Sequence, residues 1–142
     1  MKKKGIAVLL ILFFAVTSVK LGMNRVDANN HKDTKYTFNF SGWEAQTNAR
    51  EKKDDSSCYM KCTIMPSNKT YTAYVYGTNY SDKKTMMDVS RGYHYLFNKG
   101  TIRFMRNWVY EENLKYAVIG ANRNNVFPFY VEGVWSPDSV PE

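Results

Sequence analysis

Residues 58–65 read CYMKCTIM. Cys58, Met60, Cys62 and Ile64 fall on one parity, and Tyr59, Lys61, Thr63 and Met65 on the other. Successive side chains of a strand point to opposite faces, so this alternation predicts a strand that buries the first set. Two cysteines four apart in a regular strand stand about 13 Å apart, beyond the roughly 7 Å that a disulfide spans. Three readings stay open for Cys58 and Cys62: two buried thiols, a bridge across a bulge or loop, or pairing between molecules. A structural zinc would need two further ligands, and the chain has only two histidines, His31 and His94. No metal and no cofactor is expected.

The same rhythm recurs outward from this segment. Upstream, YTFNF sets Tyr36, Phe38 and Phe40 on one face. Downstream, Pro66 and a polar turn end the run, and TYTAYVYG follows, rich in β-branched and aromatic residues. These two runs predict a hairpin. A second hairpin is predicted where Tyr93, Tyr95 and Phe97 alternate, NKG supplies Gly100 for a positive φ, and Ile102 and Phe104 resume the pattern. KYAVIGAN reads as a buried central strand, and VFPFYVEGVW as the last strand, with Pro128 at an edge or bulge. The charge run over residues 50–55 reads as a solvated loop. Short strands separated by Gly, Asn, Ser and Pro point to an all-β chain, a single antiparallel β-sandwich or barrel-like domain.

The first 28 residues carry Lys2, Lys3 and Lys4, an apolar run over residues 6–16, and then small and polar residues. That pattern is a signal peptide, with Val26 and Ala28 placed for cleavage after Ala28, because the apolar run falls short of the ~20 residues that a membrane span needs. The expected organisation is a signal peptide over 1–28 and a single secreted domain over 29–142, with membrane contact only through the signal. Cleavage removes five cations and one anion, leaving +3 of the formal +7. The remainder is too dispersed for a nucleic-acid footprint, so no nucleic-acid partner is expected.

No catalytic set emerges. Cys58 or Cys62 with His94 would need an activated thiolate, an orienting group and an oxyanion hole, and no local signature supplies them. The carboxylates show no spacing that suggests a glycosidase pair. The chain is therefore expected not to be an enzyme. Aromatic residues make up 15% of it, and rigid rings with a polar tip suit binding surfaces. Tyr74, Tyr76 and Trp108 are the candidate binding residues for a carbohydrate or a peptide.

The C-terminal stretches YAVIGANRNN and YVEGVWSPDS, together with VSRGYHYLFNKG, resemble a family of small secreted proteins of Gram-positive bacteria known as a domain of unknown function. The resemblance implies a compact secreted all-β domain and supplies no catalytic residues. It suggests a bacteriocin-like or other interaction protein, with an unknown protein or cell-envelope component as partner. Read physically, Trp135 should close the core edge, while Pro137 and Asp138 shape the exit turn, Asp138 bonding neighbouring amides. With the cysteine pair, these are the candidate structural residues.

Overall fold

The computed structural model describes residues 29–140; the expected signal peptide lies outside the described residues. The described residues form ten strands: β1 (Thr34–Phe40), β2 (Glu44–Gln46), β3 (Arg50–Glu51), β4 (Cys58–Ile64), β5 (Tyr71–Thr78), β6 (Met87–Asp88), β7 (Tyr95–Phe97), β8 (Ile102–Met105), β9 (Tyr116–Arg123) and β10 (Phe129–Ser136). They form two antiparallel sheets. One has the order β1-β10-β4-β8. In the other, β9 and β5 lie at the centre, flanked on one side by β2 and β3 and on the other by β6 and β7. This is an all-β sandwich, and the described residues contain no helix.

The alternation places the core as expected. Tyr36, Phe38 and Phe40 of β1 are buried, as are Cys58, Met60 and Cys62 of β4, Tyr71, Ala73 and Val75 of β5, and Trp135 of β10. The Tyr71 ring stacks on Phe97 at 4.9 Å and meets Phe38 edge-on at 5.6 Å, so aromatic pairs fill the gap between the sheets. Gly133 is required beneath this layer: a Cβ there would stand 2.0 Å from the Lys61 carbonyl oxygen and 2.6 Å from the Tyr36 ring.

Three expectations are corrected. Neither predicted hairpin forms, because β4 and β5 lie in different sheets, as do β7 and β8. The turns that end these strands carry the chain across the core. Gly100 does adopt positive φ, at 88°, but in service of that crossing. Ile64 does not share the face of Cys62: the pairing steps from Gly133↔Cys62 to Glu132↔Ile64, so Thr63 is an extra residue. A bulge of this kind reverses the parity beyond it, and Ile64 is exposed while Met65 is buried. Last, the 50–55 run is not wholly solvated, since Lys52 is buried.

The β7–β8 connection closes one side of the sandwich, where Arg103 donates to the Leu96 carbonyl. The other side stays open between β1 and the β2–β3 segment.

Candidate functional site

Asp138, just beyond β10, is fully buried against the equally buried Lys52, which follows β3. The Lys52 Nζ to Asp138 Oδ1 distance is 2.6 Å. The other carboxylate oxygen, Oδ2, accepts the backbone N–H groups of Asn30 at 2.7 Å and Lys53 at 3.0 Å. The ammonium also donates to the Ser56 carbonyl and stands 3.7 Å from Asp54 Oδ1. Burial pulls the Asp54 carboxyl upward, but hydrogen bonds from the Ser56 hydroxyl and amide and from Asn29 outweigh it and hold the group below its ordinary value. A buried charge needs this density of partners, because desolvation costs several kcal/mol per ion. The centre joins three separate parts of the chain: the residues before β1, the β3–β4 loop and the segment after β10.

Arg50 flanks the centre. Its guanidinium donates to the carbonyls of Trp135 at 2.8 Å and Lys32 at 2.7 Å and stands over the Trp135 ring. Burial lowers its ordinarily very high pKa, against the opposing pull of Asp33 and Asp138. Arg50 and Trp135 also line the open side of the sandwich, a groove of about 770 Å³ between β1 and residues 46–50. Among the described residues, the charged ones lining it are Lys35 and Arg50. As β1 pairs, among the described residues, only with β10, its other edge faces this groove with backbone donors and acceptors that no described strand takes up.

The cysteines form no bond, and both are buried and free. The register from Tyr59 to Cys62 is regular and the bulge falls after Cys62, so nothing shortens their separation. Cys58 accepts a weak bond from the Asn107 amide at 3.5 Å. Burial, modified by the opposed fields of Lys52 and Asp138, pushes its thiol up to about 12, the reverse of an activated nucleophile. Cys62 sits with the hydroxyls of Tyr36 and Tyr71, which meet each other at 2.7 Å. Its thiol is raised by burial, against hydrogen bonds from Tyr71, the Gly100 amide and Tyr36. Among the described residues, no group of three His, Cys, Asp or Glu side chains could hold a metal.

The three aromatic candidates do not form one platform. Tyr74 and Tyr76 share the outer face of β5, where Tyr76 lies over Gly120. However, the His94 ring stacks on Tyr74 at 4.6 Å, and Tyr74 is only 8% exposed. A covered ring cannot serve as a contact surface, which corrects that assignment. Tyr76 is raised by its hydrogen bond with Tyr74 and then by burial. Trp108 belongs to another cluster, beneath Arg91 at 4.4 Å and beside Tyr93.

Residues 24–139 match a family described as a protein of unknown function, DUF2712. The chain belongs to the DUF2712 family. The matched span contains every member of the Lys52–Asp138 centre, the groove and both cysteines. No curated protein and no solved structure matches the chain, so DUF2712 brings no activity to it by comparison. The sequence reading gave Asp138 a bonding role but missed Lys52, Asp54 and Arg50. The available signal was chemical: a buried acid at the end of the last strand requires a cation.

Proposed function

We propose that this DUF2712 protein is a secreted, non-enzymatic interaction protein that acts at the cell envelope of a Gram-positive bacterium. Its partner is an extended segment of a protein that adds to β1. The observation carrying this reading is the open groove, which combines a strand edge left unpaired among the described residues with Arg50 and with Lys35, whose ammonium is paired with Glu132 at 3.3 Å. Strand addition draws affinity from main-chain hydrogen bonds and specificity from neighbouring side chains. The basic, apolar leader supports export. A bacteriocin-like action on related strains is the specific form this function takes.

The test measures binding of the purified protein to envelope fractions and growth of related strains, beside the variant Ala49→Trp, which fills the groove. The wild type is expected to bind and inhibit, and the folded variant to lose both. A wild type that does neither, or a variant that does both undiminished, would contradict the proposal.

A further inference from the structure

We propose that Lys52 and Asp138 join in an intramolecular isopeptide bond, formed by the folded protein itself with Asp54 as the proton carrier. The proposal rests on the arrangement around one buried carboxyl and is independent of the groove.

Each part that amide formation requires is in place. The nucleophile is Lys52 Nζ, 2.6 Å from Asp138 Oδ1, with both side chains wholly withdrawn from water. The Asn30 and Lys53 amides converge on Oδ2, the oxygen that becomes negative when nitrogen adds to the carboxyl carbon; two aimed backbone donors are the usual means of stabilising such an oxyanion. Asp54 Oδ1 stands 3.7 Å from Nζ, which itself lies 2.6 Å from Asp138 Oδ1, so one carboxylate is near both the proton that must leave and the oxygen that must receive it. The Ser56 carbonyl orients the ammonium. Fixing the reactants in contact removes the entropic part of the barrier.

The step balances without an external reagent. A proton passes from the Lys52 ammonium to the Asp138 carboxylate, giving an amine and a carboxylic acid. The nitrogen lone pair attacks Cγ, forming the C–N bond and placing charge on Oδ2. Asp54 takes a proton from the nitrogen and delivers it to the departing hydroxyl at Oδ1. The C–O bond breaks and one water leaves. Nothing is oxidised or reduced. The product ties the loop after β3 to the segment after the last strand, a connection of 86 residues.

The experiment is the intact mass of the unfolded full chain, referred to the N-terminus found by sequencing. The wild type should be lighter than its sequence by one water, and Lys52→Arg, which keeps the charge, should have the full mass. Asp54→Asn, which lacks the proton carrier, should lose the deficit or acquire it far more slowly. A wild type at full mass overturns the proposal. A deficit that persists in Lys52→Arg also overturns it, by assigning the lost water to cyclisation of Asp138 onto the Ser139 amide. A deficit formed at the wild-type rate in Asp54→Asn removes Asp54 from the mechanism.

Discussion

Cys58 and Cys62 lie on one face of one strand, yet their surroundings differ in kind. Cys58 borders the charged centre and feels Lys52, Asp138 and Arg50. Cys62 belongs to a neutral trio with Tyr36 and Tyr71. Both neighbourhoods are polar clusters inside an aromatic and aliphatic core. The charged one is held by partners from three remote segments, and removing a partner leaves an uncompensated ion. The neutral one relies on hydroxyls whose loss strands no charge. Similar burial therefore carries very different penalties for disruption.

The sharpest way to expose that difference is Asp138→Ala, which leaves Lys52 buried and alone; the expected loss is about 3–5 kcal/mol in urea unfolding. A Lys52→Met/Asp138→Leu pair should recover the part of the loss that comes from the stranded ammonium, since apolar replacement of a buried ion pair is often neutral, but not the part that comes from the lost cross-link. On the neutral side, Gly133→Ala forces a Cβ against the Lys61 carbonyl, which is backbone and cannot turn away. Its expected cost is about 3 kcal/mol, at the upper end of overpacking.

The pH dependence tests the charged side again. The Cys58 thiol is raised above its ordinary 9.0 to about 12. Its contribution is thus complete below pH 9 and is lost as the pH rises towards 12, because only the unfolded chain releases the proton. The expected decline is roughly 1.4 kcal/mol per pH unit. Tyr36 and Tyr71, both raised chiefly by burial, act in the same direction at higher pH. Cys58→Ala should make the decline between pH 9 and 10 shallower, leaving the part owed to Cys62, whose thiol burial also raises; an unchanged slope in that variant would remove Cys58 as a source. The smallest effect is Tyr71→Phe, which removes one buried hydroxyl bond and should lower stability by about 1 kcal/mol. A loss as large as that of Asp138→Ala would erase the distinction between the two clusters.

The strands were legible in the sequence because period-two alternation is local, and Tyr36, Phe38, Phe40 and Cys58 face inward as it predicts. Pairing was not legible. The turns after Met65 and Phe97 contain ordinary turn residues, which serve a hairpin and a crossing between sheets equally well. The outward turn of Ile64 depends on one unpaired residue, Thr63, set by the register against β10. Lys52 lies in a charge run that looks solvated, and only the Asp138 carboxylate, remote in the chain, accounts for its burial. Tyr74 looked like an exposed ring until His94 was placed over it. In each case the missing information was a long-range partner.

The charged centre is the feature on which the chemistry of this molecule turns, and tandem mass spectrometry of a tryptic digest examines it most directly. Trypsin cuts after Arg50, Lys53 and Arg123 but not after an acylated Lys52. An isopeptide bond at this centre gives one branched species in which the peptide 51–53 is joined through Lys52 to Asp138 of the peptide 124–142, lighter by one water. Recovery of residues 124–142 as a free peptide of full mass, with Lys52 cleaved normally, would contradict it.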